Sequence, residues 1–324
     1  MFYNLDCIEG CKKYISDNSV DLIITDPPYG INGDKLHKHY NRDEGFVLDG
    51  YIEIPQNEYS QFSIEWIKES ERILKPGGSI YIVSGYSNLI DILTALKKTK
   101  LKEINHIIWK YNFGVYTKNK FISSHYHILY YVKPGKKYTF NTFIRFNQDE
   151  RNNNNGSLNY SDREDVWVIN REYKPGKVKN KNELPKELLI KMIQYSSNEN
   201  DLICDLFLGS FSTAKVAIGL NRNVVGFEKS KIAYDYQISQ MKNIKRGYLI
   251  NEIKTPKKSA LINQGKNWSD EDLNLLKKRY YELSLNEKTK KNIIETLMKE
   301  FGRGRFSILN KVGNFEDFEK WELF

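Results

Sequence analysis

Val20-Asp21-Leu22-Ile23-Ile24-Thr25-Asp26-Pro27-Pro28-Tyr29-Gly30 decides how the chain is read. An apolar, β-branched run ending in Asp-Pro-Pro-Tyr reads as a buried strand whose carboxyl end carries a stiff, polar loop. Open α/β sheets bind ligands in the crevice beyond the carboxyl ends of their strands, so chemistry is expected at Asp26. The residue types suit a planar amino group. An ionised Asp26 only accepts hydrogen bonds, so it can hold an amine N–H and draw off developing positive charge. Pro27 and Pro28 fix φ and remove a competing donor, which leaves the Pro27 carbonyl as a second acceptor. Tyr29 offers a flat face on which a base can stack. A proline-stiffened turn is the plain alternative, and a second motif weighs against it.

That motif runs from Asp201 to Thr213, Asp-Leu-Ile-Cys-Asp-Leu-Phe-Leu-Gly-Ser-Phe-Ser-Thr, and continues through Ala214 to Leu220. It parses as strand, small-residue turn and amphipathic helix. Gly209 lets a ligand approach the backbone closely, and Ser212 or Thr213 is expected to cap the helix. Asn223-Val224-Val225-Gly226-Phe227-Glu228 then reads as a short strand ending in an acid. An acid about 20 residues beyond a glycine turn is placed to grip a ribose diol. The full G-x-G-x-x-G fingerprint is missing, which favours a nucleoside-like ligand without a pyrophosphate.

Together the two motifs resemble the amino-methyltransferases of DNA, and the resemblance covers most of residues 1–245. The catalytic loop precedes the glycine loop here, as in the β class of that family, whose sheet is circularly permuted. Leu5-Asp6-Cys7, Leu74-Lys75-Pro76-Gly77-Gly78-Ser79-Ile80-Tyr81 and Leu184-Pro185-Lys186-Glu187-Leu188-Leu189 are similar to further family segments. Two positions depart from the pattern: Phe211 stands where glycine is common, and Asn180-Lys181 where His-Pro is usual. The resemblance implies an α/β, Rossmann-like sheet with helices on both faces and S-adenosylmethionine as cofactor. It implies methyl transfer to adenine N6 of a flipped base in double-stranded DNA, with cytosine N4 as the alternative. It assigns catalysis to Asp26, Pro27, Pro28 and Tyr29. Cofactor binding falls to Asp6, Cys7, Asp205, Phe207, Gly209, Ser210, Ser212, Thr213 and Glu228. A homodimer and a companion restriction endonuclease are both admitted. RNA or a protein glutamine amide is a rival substrate, and a non-catalytic DNA-binding specificity or regulatory protein on the same fold is a rival of another class.

Composition agrees with a polyanionic partner. The 324 residues carry a formal charge of +9, and lysines and arginines gain affinity by displacing phosphate counterions. Three cysteines, Cys7, Cys11 and Cys204, make no disulfide framework and suggest a reducing cytoplasm. The first strand is expected almost at Met1, which argues against a signal peptide, and no apolar run is long enough to span a bilayer. His37, His39, His125 and His127 lack zinc-site spacing, so no metal is expected. His125 and His127 fall in a strand-like alternation expected to line the base pocket.

The expected catalytic domain spans 1–250, with target-recognition insertions at about 31–60 and 133–179. The first insertion clusters Lys35, His37, Lys38, His39 and Arg42, and the second carries Lys136 and Lys137. A linker at 251–266 leads to a helical module, 267–324, where Ser269 and Asp272 suggest a capping box. Its tryptophan-led three-helix pattern, two apolar stripes and then a short turn and third helix with basic residues, resembles Myb-type and other helix-turn-helix DNA binders, with Arg303, Arg305 and Lys311 as candidate DNA contacts. A helical cap for packing or dimerisation is the alternative for this segment.

Overall fold

A computed structural model describes residues 1–28, 54–112, 114, 116–172, 183–257, 261–263, 266–286 and 289–322, with side chains through Gly313. The strands β1 (Phe2–Tyr3), β2 (Val20–Thr25), β3 (Leu74–Ser84), β4 (Lys102–Lys110), β5 (His125–Val132), β6 (Val166–Val168), β7 (Leu202–Asp205) and β8 (Asn223–Phe227) form one sheet. Their order is β1-β8-β7-β2-β3-β5-β4-β6. From β1 to β3 every pairing is parallel, whereas β5 runs antiparallel to both β3 and β4. The strand carrying Asp26 therefore lies centrally, between β7 and β3. The chain's first strand joins the sheet beside β8, which comes near the other end of the catalytic segment.

Strands buried on both faces should be largely apolar, and β2 is so except for Asp21 and Thr25. Leu22 and Ile24 enter one core with Tyr81, Val83 and Ile203, under α5 (Lys186–Ser196), α6 (Ser212–Gly219) and α7 (Lys231–Met241). Val20 and Ile23 enter the other with Ile80, Ile82 and Cys204, under α1 (Cys7–Tyr14), α2 (Gln56–Ile73) and α3 (Leu89–Leu96). The one acid within β2, Asp21, ties neighbouring strands together. Its Oδ1 lies 2.6 Å from Lys75 Nζ, and its Oδ2 accepts the Leu202 N–H at 2.9 Å. Gly77 takes φ +83° where the backbone passes Lys137, and a Cβ there would lie 2.9 Å from the Lys137 carbonyl oxygen.

The chain divides into two compact units, Met1–Thr142 with Glu164–Ile253, and Phe143–Arg163 with Lys254–Phe324. This division differs from the expected lines at 250 and 266. The expected insertion at 133–179 is split. Part of it packs with the tail, while β6 returns to the main sheet beside β4. In the second unit, α8 (Asp270–Ser284), α9 (Lys290–Phe301) and α10 (Arg305–Glu322) enclose Leu276, Leu283, Ile294, Leu297, Ile308 and Val312. α4 (Leu158–Asp162) belongs to the same unit, and Asp162 there pairs with the buried Arg145 at 2.8 Å. Ser269 caps α8 by accepting the Asp272 N–H at 3.1 Å.

Candidate active site

Asp26 is half-buried just beyond β2, next to a buried Pro27 and a half-buried Pro28. Its immediate neighbour Thr25 is fully buried and donates through Oγ1 to Asp205 Oδ1 at 3.3 Å, joining the ends of β2 and β7. Asp205 Oδ1 also accepts the Phe207 N–H at 3.1 Å. Burial raises the Asp205 carboxyl to about 6, against stabilising hydrogen bonds from Thr213, Phe207 and Thr25. Expected among the cofactor contacts, Asp205 directs its buried carboxylate at the turn itself.

The turn delivers Gly209 to the end of β8. Gly209 N–H donates to Glu228 Oε2 at 2.9 Å, and Ser230 N–H donates to Oε1 at 2.7 Å. Burial pushes the Glu228 carboxyl above its ordinary value, and the two backbone donors oppose the shift. Each carboxylate oxygen has lone-pair capacity beyond these bonds, so Glu228 can still accept from a diol. The adjoining strand end holds Asp6. Tyr3 pairs with Phe227, and Asn4 Nδ2 donates to the Glu228 carbonyl at 2.8 Å. Asp6 caps α1 through the Ile8 N–H and lies 3.3 Å from Lys229 Nζ. Cys7 is different: its thiol packs in the core, and burial raises its pKa well above the usual range. Any ligand contact at Cys7 is left to its backbone.

Two residues absent from the sequence reading complete this edge. Alternation along β5 sends His125, His127 and Leu129 to the α1–α3 side and Tyr126, Ile128 and Tyr130 to the other. Asp26, two residues beyond Ile24, shares the Tyr126 side. The expected pocket histidines thus give way to a tyrosine, and His127 instead meets His106, with Nδ1 and Nε2 2.8 Å apart. Burial raises the Tyr126 phenol, Arg171 opposes that shift, and the charge of Asp26 adds to it. The Arg171 guanidinium lies over Tyr111 at 4.5 Å and Tyr126 at 5.1 Å, and Trp109 packs against both tyrosines at 5.6 Å. Arg171 reaches this place because the Ile169 N–H continues the β6 pairing by donating to the Lys110 carbonyl at 3.0 Å. The usable signal was Val166-Trp167-Val168-Ile169, an apolar run inside the segment expected to be a target-recognition insertion.

Other candidates fall elsewhere. Tyr29, Lys35, His37, Lys38, His39 and Arg42 lie outside the described residues. Lys136 and Lys137 are exposed, but they follow the carboxyl end of β5, beside Gly77 at the amino end of β3. That is the opposite edge of the sheet from Asp26. Arg303, expected as a DNA contact, is buried instead. Its guanidinium donates to the Lys266 and Asn267 carbonyls at 2.6 and 2.9 Å, pairs with Asp272 at 3.2 Å, and covers Trp268 at 4.1 Å. Arg305 is exposed and Lys311 half-buried in the same unit.

Residues 20–240 match the DNA methylase family of N6/N4 methyltransferases. The chain belongs to this family. It is 32% identical over 251 residues to the type II methyltransferase M.HinfI of Haemophilus influenzae, spanning 74% of this chain and 67% of that one. It is 31% identical to the DNA adenine methyltransferase YhdJ of Escherichia coli, over 69% of this chain and 76% of that one. Among solved structures, the M1.HpyAVI–SAM complex shares the fold with a TM-score of 0.51 and 22% identity, over 74% of this chain and 98% of that one.

Against the family pattern, Phe211 has a structural account. It takes φ +60° at the start of α6, a left-handed conformation that glycine adopts freely and a bulky residue adopts at a cost. The ring is fully buried, 5.2 Å from Phe2 and 6.1 Å from Tyr234. Phe211 therefore packs under the loop and does not obstruct it. Neither Ser212 nor Thr213 caps the helix: Phe211 occupies that position without a side-chain bond, and Thr213 turns to Asp205.

Proposed function

We propose that this sheet edge transfers a methyl group to the exocyclic amino group of a base turned out of double-stranded DNA, adenine N6 in preference to cytosine N4. The observation that carries the reading is the juxtaposition of unlike chemistries along one edge. Asp26 faces an aromatic wall on one side, and the Gly209–Glu228 pair follows the next two strands on the other. S-adenosylmethionine fits the second half. Glu228 would accept from the ribose hydroxyls, Asp6 would serve the adenine, and Gly209, Ser210 and Ser212 would line the loop that holds it. When bound, it supplies an electrophilic methyl group on sulfur.

The chain's own residues do the rest. Asp26 and the Pro27 carbonyl each accept an N–H from the target amine, which turns its lone pair outward. As the N–C bond forms and the methyl–sulfur bond of the donor breaks, leaving a neutral thioether, the Asp26 carboxylate offsets the positive charge on nitrogen and accepts the proton it sheds. Tyr29 stacks on the base. The Tyr126 phenol stays protonated and donates to the base edge, while Arg171 clamps the tyrosine faces and keeps the wall rigid. Orientation supplies most of the acceleration in such an arrangement.

Incubating the protein with plasmid DNA and radiolabelled S-adenosylmethionine, followed by strand-resolved mapping of the modified base, tests this reading. Label at adenine N6 is expected. Label at cytosine N4 would move the substrate, and cofactor binding with no transfer to any DNA would replace the enzyme by a DNA-binding protein on the same fold.

A further inference from the structure

We propose that the turn between β4 and β5 is a finger that enters the duplex beside the target nucleotide, with Phe121 as the wedge that fills the space the base leaves. The inference rests on the reading above and deepens it. The direction of the hairpin is fixed by register. Thr25 pairs with Ile82, Ser84 with His127, and Lys110 with His125, so the turn that joins β4 to β5 projects from the edge that bears Asp26. The Tyr111 N–H extends the ladder to the Ser124 carbonyl at 3.0 Å.

The described residues of the finger are tied to one another. Its arms close at Gly114, where a Cβ would lie 2.2 Å from Ile122 and 2.7 Å from the Ser123 carbonyl oxygen. Its tip is tied by Thr117 Oγ1 donating to the Lys120 carbonyl at 2.6 Å. On this frame Phe121 is 99% exposed, next to exposed lysines at 118 and 120. The phenyl ring makes no use of this exposure within the fold, and its place between basic side chains on the edge that bears Asp26 is what points to DNA. The partner's charge is also legible. No acidic residue occurs in the chain between Glu103 and Asp149, so the hairpin's own charged side chains at Lys110, Lys118 and Lys120 are all basic and suited to phosphates. Apolar side chains flanked by basic ones are how proteins part stacked bases.

The test compares two DNA substrates carrying the site mapped as above: a fully paired duplex, and the same duplex with an abasic site opposite the target. In the second, the base is already unpaired and costs less to extrude. Phe121→Ala should lower kcat/KM on the paired duplex by about 10- to 100-fold, yet stay within about 3-fold of the parent on the abasic duplex. Phe121→Trp should retain most activity on both. Cofactor affinity, measured by calorimetry, should be unchanged and reports that the fold is intact. Tyr116→Ala, at the other large exposed ring of the tip (75% exposed), should not discriminate between the substrates. Equal loss on both duplexes, no loss on either, or discrimination by Tyr116→Ala alone would overturn the wedge. If the unaltered protein methylates neither duplex, the functional reading has failed, which is a separate result.

Discussion

Two carboxylates at this edge are predicted to behave in opposite ways because their surroundings differ. On the proposed reading Asp26 faces the target amine, so Asp26→Ala should reduce methyl transfer by ~10²–10⁴-fold while the S-adenosylmethionine dissociation constant stays unchanged. Parallel loss of both, measured by calorimetry and label transfer, would make Asp26 a structural residue. Asp205 is 4% exposed and shaped by burial. Its folded-state pKa is raised from 3.8 to about 6, so the folded protein holds this proton more tightly than the unfolded chain does. Ionising it in the fold therefore costs stability. That cost is absent below about pH 4, grows as pH rises toward 6, and is constant above. Asp205→Asn keeps an acceptor for the Phe207 N–H and removes the charge. At ~1.4 kcal/mol per pH unit, the variant should be more stable than the parent by about 2–3 kcal/mol at pH 8 and by almost nothing at pH 4. Denaturant titrations at the two pH values check this. A variant less stable at pH 8 would show that the carboxylate's hydrogen bonds outweigh its desolvation.

Elements differ in how much of their placement a single sequence carries. β2, β7 and β8 were legible because their apolar runs end in Asp26, the glycine turn and Glu228, and the local pattern there is also the global one. The sides of β5 were not, since His125, Tyr126 and His127 all suit a strand, and only the register against β3 and β4 decides which faces Asp26. β6 was hidden because three residues pair with β4 from inside a polar segment. Arg303 was misread for the same reason: an arginine beside Gly302 and Gly304 looks exposed until α8 and Trp268 are folded around it. Its burial yields a prediction. Arg303→Ala leaves the Lys266 and Asn267 carbonyls without this donor and uncovers the Trp268 ring, so it should destabilise the second unit by about 2–4 kcal/mol. Amide exchange in α8 and α9 should accelerate, with protection in β2 and β7 unchanged. Arg305→Ala, at an exposed position, should leave exchange as it was. Equal exchange in the two variants would sink the assignment.

At the scale of the whole molecule, the chain crosses between its two units more than once. Residues 143–163 lie between β5 and β6 in the sequence but pack with the tail. Lys257 N–H donates to Glu150 Oε1 at 3.1 Å, Asn147 Nδ2 donates to the Lys257 carbonyl, Lys254 Nζ covers the Phe146 ring at 5.3 Å, and Gly304 abuts Gln148. A truncation after residue 253 therefore does not separate two independent patterns. It strips 143–163 of the surface against which it folds, leaving Phe146 and its neighbours uncovered. That truncation should lower the melting temperature or the solubility of what remains. A second version, in which 143–163 is also replaced by a short glycine–serine linker, should recover a soluble first unit that binds S-adenosylmethionine with the parent's affinity. It should bind DNA more weakly and with a shallower salt dependence, the slope falling by roughly one for each phosphate that the second unit neutralises in the full chain. Alanine at Arg305 and Lys311 in the full chain should reproduce part of that change without altering stability. If the simple truncation is as soluble and as stable as the double deletion, residues 143–163 fold without the tail. If the double deletion keeps the parent's full salt slope, the second unit neutralises no phosphates and the positive edge around Lys110, Lys118 and Lys120 carries DNA binding alone.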